Sequence, residues 1–187
     1  MDVALGSALE VFWAKGYEGA SMTDLTEAMG INRPSLYAAF GNKEDLFMKA
    51  LDLYSKGFHS SASGFAAEPT AYGAIEVFLR STAQLCTGPG TPRGCLLVQG
   101  ALAVGDASEP VREALAERRA AVLEAIRLRL EQGVEDGDLP TGTDTAELAR
   151  YIMVTSNGIA VQAAGGASRE ELFRCVDIAM RAWPAAH

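Results

Sequence analysis

The sequence predicts an all-α chain, and three observations carry that expectation. Apolar residues recur at three- and four-residue intervals along most of its length. Val and Ile never form alternating runs, and no Asn-Gly or Asp-Gly turn joins two such runs. Ser, Thr, Asp and Asn stand where helices would open, and Gly where they would close. With 187 residues, 49% of them apolar, the chain can bury a sizeable core and is not a disordered tail.

About nine helices follow in order. Leu5, Leu9, Phe12 and Trp13 share a face of the first, which Gly16 stops. Ser21 caps the second, with Asp24 three residues on as its capping-box partner and Gly30 as its stop. Asn32 caps a short third helix, where Pro34 in the first turn costs no hydrogen bond. Asn42, again with an acid (Asp45) three residues later, opens a fourth helix that runs to about residue 61. Residues 63–69 read as a loop. A fifth helix covers 71–86, with Ile75, Phe78, Leu79, Thr82 and Leu85 as its inner stripe. Two Pro and two Gly make 87–93 a loop. The sixth helix lies around 95–104, and Ser108 caps a long seventh to about Gly133. The eighth and ninth cover 144–164 and 168–183.

Composition excludes several functions. No apolar run reaches 18 residues, so no membrane partner is expected. No basic segment with an apolar stretch follows Met1, so the expected compartment is cytoplasmic. Cys86, Cys95 and Cys175 are odd in number and far apart, which argues against a disulfide framework or a CxxC zinc site. With only His59 and His187, no catalytic triad or histidine metal site is expected, and no cofactor. The paired acids Glu135-Asp136 and Glu170-Glu171 read as solvated helix ends.

The net charge of −8 argues against a general nucleic-acid binder. The local pattern differs. Residues 1–50 hold four basic and seven acidic side chains, yet no acid occurs from Ala28 to Lys43. A DNA-reading surface needs such a stretch, because a carboxylate facing phosphate weakens binding. Residues 21–40 read as a helix–turn–helix, locked by Leu25, Met29, Ile31, Leu36 and Phe40 around a tight glycine turn. Arg33 and Ser35 then stand at the start of the second helix, whose first residues meet base edges. Arginine is the commonest reader of guanine. Tyr37 can offer its hydroxyl to a phosphate. Lys43 opens the fourth helix, where a cation is unfavourable to the helix but suited to gripping a phosphate.

The stretch 8–51 closely resembles the N-terminal DNA-binding domain of the TetR family of transcriptional repressors. Phe12 with Gly16-Tyr17, then Gly30-Ile31, then Ser35-Leu36-Tyr37 with Phe40, and finally Asn42-Lys43-Glu44-Asp45-Leu46 carry the resemblance. Thr91-Pro92-Arg93-Gly94-Cys95, Gly137-Asp138-Leu139-Pro140 and Trp183-Pro184 look like its AcrR and ComR branch. The resemblance implies a homodimer that binds double-stranded operator DNA and releases it when a small-molecule inducer enters the C-terminal domain. It divides the chain into a DNA-binding domain, 1–50, and a ligand-binding and dimerisation domain, 51–187. Carried over by position, the DNA contacts fall on Ser21, Met22, Thr23, Arg33, Pro34, Ser35, Tyr37 and Lys43. Many relatives carry a basic arm before the first helix. Met1-Asp2-Val3 supplies none, so no minor-groove contact from an arm is assumed.

Beyond residue 50 the residues are less diagnostic. Phe78, Leu102, Ile126 and Tyr151 read as core that can also surround a cavity, and Thr82, Gln99 and Asn157 as polar residues on apolar faces that a ligand could satisfy. Cys95 is a further candidate. Its apolar neighbours favour packing, and a thiol sensor or a soft-metal site with Cys86 and His59 are the alternatives. The eighth helix is apolar on two sides, one for its own domain and one for a partner subunit. With the ninth it predicts a four-helix dimer interface through Ile152, Thr155, Ile159, Phe173, Val176 and Met180. The competing class, an enzyme or small-molecule carrier on a helical shell, lacks any nucleophile–base set or phosphate loop.

Overall fold

A computed structural model describes residues 2–61, 63–102 and 108–184, without the side chains at 58–61, 63 and 100–102. Among the described residues there are ten helices and no strand. They are α1 (Asp2–Gly19), α2 (Met22–Met29), α3 (Arg33–Phe40), α4 (Lys43–Ser61), α5 (Ser63–Ala67), α6 (Ala71–Cys86), α7 (Leu96–Leu102), α8 (Glu109–Glu135), α9 (Thr145–Ala164) and α10 (Arg169–Arg181). The tenth is the five-residue α5, which occupies the segment expected as a loop. Its ordering comes from packing on α6, where Phe65 meets Phe78 with ring centres 6.2 Å apart.

The caps expected at Ser21, Asn32 and Asn42 form, and Thr70, Asp144 and Ser168 add others. Ser21 and Asp24 exchange reciprocal bonds at the start of α2, and Ser168 and Glu171 do the same for α10. Asn32, Thr70 and Asp144 each accept from a backbone N–H at the third helical residue. The hydroxyl of Ser108 is used differently: it donates to Glu18 in α1 at 3.1 Å. Gly16 interrupts α1 with φ 71° and ψ 174°, and the chain resumes one further turn to Gly19.

The chain forms two compact units. One comprises residues 1–59 with 95–117, the other 60–94 with 118–187. This is a division by packing, so α4 and α8 each contribute to both. The first unit is centred on aromatic rings. Phe12 meets Phe47 edge-on at 5.0 Å, Tyr17 meets Phe47 at 5.2 Å, and Trp13 meets Tyr54 at 5.0 Å. Leu25, Leu36, Phe40 and Leu46 bury their side chains beside them.

In the second unit α6 packs on α5, α9 and α10. Arg80 of α6 pairs with Glu76 and with Asp177 of α10, and its guanidinium lies 5.2 Å from the Phe173 ring centre. Arg93 donates to the carbonyls of Ala163 and Ala167, which satisfies the end of α9. Inside α8, Gly133 permits a close approach: a Cβ there would lie 2.6 Å from that of Ala71. By contrast, a Cβ on Gly6 within α1 would meet nothing within 4 Å. In an open helix, Gly→Ala gains about 1 kcal/mol. We therefore expect Gly6→Ala to raise the denaturation midpoint. Gly133→Ala should lower stability by about 1–2 kcal/mol, because overpacking outweighs that gain. Urea unfolding of the two variants checks both signs.

Candidate nucleic-acid interface

The turn between α2 and α3 is made by Gly30, at φ 65° and ψ 28°. In that left-handed conformation its N–H reaches Glu27 O, and the Ile31 N–H reaches Thr26 O. A side chain at this position would be strained. The turn lets α3 leave at once, with Asn32 Oδ1 accepting from Ser35 N at 2.9 Å. Leu25, Met29, Leu36 and Phe40 are buried, while Ile31 is half-buried. The opposite face of α3 is open: Arg33, Pro34, Ser35 and Tyr37 are all exposed, Tyr37 by 51%.

Arg33 is held in place. Its Nη2 donates to Thr23 Oγ1 at 3.0 Å, bridging the two helices of the motif on their exposed side. Only one of its five N–H donors is used there. Ser21 is exposed, but its oxygen is engaged in the cap. Met22 is half-buried and packs against the first unit's core. Lys43 begins α4, which Asn42 and Asp45 cap reciprocally at 2.9 and 3.0 Å. Its Nζ lies 4.5 Å from the centre of the Tyr17 ring. Burial pulls the Lys43 ammonium down from its ordinary range, and Glu18 acts the other way. Burial also pushes the Tyr17 phenol up, which the Ser108 hydroxyl partly offsets. The eight DNA-contact candidates all lie on α2, α3 and the helix starts next to them.

These features define a helix–turn–helix regulator of the DNA-binding class. A family model described as bacterial regulatory proteins of the TetR family matches residues 4–50. The Tetracyclin repressor-like C-terminal domain matches residues 73–177. The HTH-type transcriptional repressor ComR of Escherichia coli K12 is 32% identical, over 98% of this chain and 88% of its own. The repressor AcnR of Corynebacterium glutamicum is 26% identical, over 93% of this chain and 87% of its own. A cysteine-substituted form of the TetR-family regulator CifR, solved with a 26-base-pair operator duplex, is 43% identical with a TM-score of 0.94. That match covers 98% of this chain and 96% of that one. The chain belongs to the TetR family of transcriptional regulators, which are not enzymes.

The ligand candidates are dispersed. Phe78, Thr82, Ile126, Tyr151 and Asn157 lie in the second unit, whereas Cys95 and Gln99 lie in the first. The Leu102 side chain is outside the described residues. Thr82 is buried, but its hydroxyl already donates to Phe78 O at 2.9 Å, so no ligand is needed to satisfy it. Tyr151 was expected in the core and is 44% exposed. It borders a shallow apolar recess with Ile75, Leu79, Leu148, Met180 and Trp183. Cys95 is half-buried and accepts from the Tyr54 hydroxyl at 3.2 Å. Cys86 is buried in the second unit, the His59 side chain is outside the described residues, and the described residues contain no metal-binding group of three. No helix among them is long and apolar enough to cross a membrane.

Four of the six dimer candidates, Ile152, Ile159, Val176 and Met180, are buried in their own unit. Thr155 is half-buried and donates to Tyr151 O, and Phe173 is half-buried beneath Arg80. Besides Tyr151, the large apolar side chains that α9 and α10 leave exposed are Val154, Val161 and Ile178, Val154 by 65% and Ile178 by 63%. Gly158 stands between the two valines with open space around it. The sequence carried a signal for this face, since Val154, Gly158 and Val161 recur at i, i+4 and i+7.

The link between α1 and α2 is testable by pH. Asp24 is held down to about 2 by the Lys15 ammonium at 2.7 Å and then by the Ser21 backbone N–H and hydroxyl. A carboxyl depressed by folding contributes stability that is present above its ordinary value near 3.8 and lost as the pH falls through about 2. Between pH 4 and 2 the native protein should therefore lose stability more steeply than Asp24→Asn. Ser21→Ala should cost about 1 kcal/mol at pH 7 through the lost cap. Thermal melts across that pH range measure both.

Proposed function

We propose that this chain is a ligand-responsive transcriptional repressor acting as a homodimer on a near-palindromic operator. One observation carries the reading: the open, acid-free face of α3, with Arg33 held exposed at its N-terminus by Thr23. Ser21, Met22, Thr23, Arg33, Pro34, Ser35, Tyr37 and Lys43 form the proposed DNA-contact set. Arg33 reads a base edge. Tyr37 and Lys43 meet phosphates, which fix register but carry no sequence information. The DNA-binding function is assigned to 1–50, and ligand binding and dimerisation to 51–187.

Dimerisation brings two recognition helices to successive major grooves, about 34–36 Å apart for half-sites one turn apart. The exposed apolar face of α9 and α10 supports this assembly, with Val154, Val161 and Ile178 desolvated and Gly158 allowing close approach. The operator complex of the related CifR supports the DNA partner. Release of DNA requires an inducer that binds the non-binding state more tightly.

A gel shift combined with sedimentation tests this on the intergenic DNA beside its own gene, against a scrambled duplex. A dimer that shifts only the native fragment is expected. Arg33→Ala should cost about 1–3 kcal/mol and relax discrimination at one base position. The double change Val154→Asp with Ile178→Asp should give a folded monomer with greatly weakened operator binding. Wild-type binding by both variants would falsify the assignment.

The contact between Tyr54 and Cys95 favours a second reading, in which a thiol event at Cys95 controls DNA binding. Alkylation should then abolish the shift in Cys175→Ser but leave it in Cys95→Ser.

A further inference from the structure

Lys43 occupies an unfavourable place for a cation. It begins α4, where the helix dipole repels positive charge. It is partly desolvated, and among the described residues no carboxylate pairs with it. Asp45, two residues on, is committed to the Asn42 backbone. What holds the ammonium is the face of Tyr17, and that ring is itself immobilised. It is buried, stacked against Phe12 at 6.3 Å and set edge-on to Phe47 at 5.2 Å. Cation–π attraction strengthens when the cation is desolvated, as here.

Glu18 is near enough to act on the charge of Lys43, and one of its oxygens is held by a hydrogen bond from outside α1. Its Oε1 accepts from the Ser108 hydroxyl at 3.1 Å. Ser108 is only 5% exposed and stands immediately before α8, so this donor is fixed by the packing of the first unit. A lysine with a fixed position and no paired carboxylate is prepared for an external anion.

We propose that Tyr17 and Ser108 are positioning residues for DNA binding. The ring holds the Lys43 ammonium in place, and the Ser108 hydroxyl keeps Glu18 engaged, so that a DNA phosphate is the counter-charge Lys43 receives. The proposal rests on the reading of Lys43 as a phosphate contact.

The test is a binding titration across salt concentrations on a duplex that the wild-type protein selects from a random-sequence pool. Lys43→Ala should weaken binding and reduce the salt slope by about 1, the value for one lost phosphate contact. Ser108→Ala should weaken binding by up to about fivefold, the top of the range for one modest electrostatic contact. Adding Glu18→Gln to Ser108→Ala should restore it, because the competing charge is gone. Tyr17→Phe keeps the ring and with it the hold on the Lys43 ammonium, whereas Tyr17→Leu should bind roughly three- to tenfold more weakly than Tyr17→Phe. Should Tyr17→Leu fail to fold, the Ser108 and Glu18 variants decide the matter alone. Wild-type affinity in Ser108→Ala overturns the proposal, and so does an equal loss with and without Glu18→Gln. A Lys43→Ala variant that binds as wild type overturns the phosphate contact itself, which separates that failure from failure of the positioning.

Discussion

The edge-on packing of Phe12 against Phe47 is the contact on which the DNA-reading unit depends. It joins α1 to α4 across 35 residues of chain, with Tyr17 closing the cluster against both rings. The helix–turn–helix motif between them is too short to hold itself. Two eight-residue helices are well below the length at which a helix persists alone in water. They are stable because Leu25, Leu36 and Phe40 are buried in the core the aromatic cluster builds. The same cluster immobilises the ring that carries Lys43, so the stability of the unit and the placement of that ammonium share one origin.

Electrostatics sharpen the surface. A chain of net charge −8 is repelled by DNA almost everywhere. Attraction is least opposed where acids are missing or committed. Asp24 and Asp45 lie beside that face, but each is used in a reciprocal cap, and Asp24 is also paired with Lys15. Capping thus performs two tasks: it satisfies helix ends and it removes carboxylates from competition for the basic side chains.

The second unit is organised differently. Its helices are joined by α6, and several irregular backbone ends are satisfied by long basic side chains. Arg93 closes α9, while Arg169 reaches back to Thr87 at the end of α6. With loops tied down in this way, α9 and α10 bury one apolar face and keep a second, smaller one outward. That outward face is what the proposed dimer uses.

The helical class, most helix boundaries, the caps at Ser21, Asn32 and Asn42, and the exposed face of α3 were legible in the order of residues alone. These are legible because they rest on local rules: a 3.6-residue period, a side chain that bonds a backbone N–H three residues on, and a glycine that tolerates positive φ at Gly30. Only the tertiary structure decided which apolar residues of α9 and α10 are spent inside. Periodicity identifies an apolar face but does not say which neighbour covers it, so Ile152 and Val176 went to the core while Val154 and Ile178 stayed out. It also decided that the Thr82 hydroxyl donates to Phe78 O, that 63–67 is helical, and that Ser108, ninety residues from Glu18, bonds its carboxylate. No local pattern encodes such a pairing, because it depends on where packing brings two distant segments together.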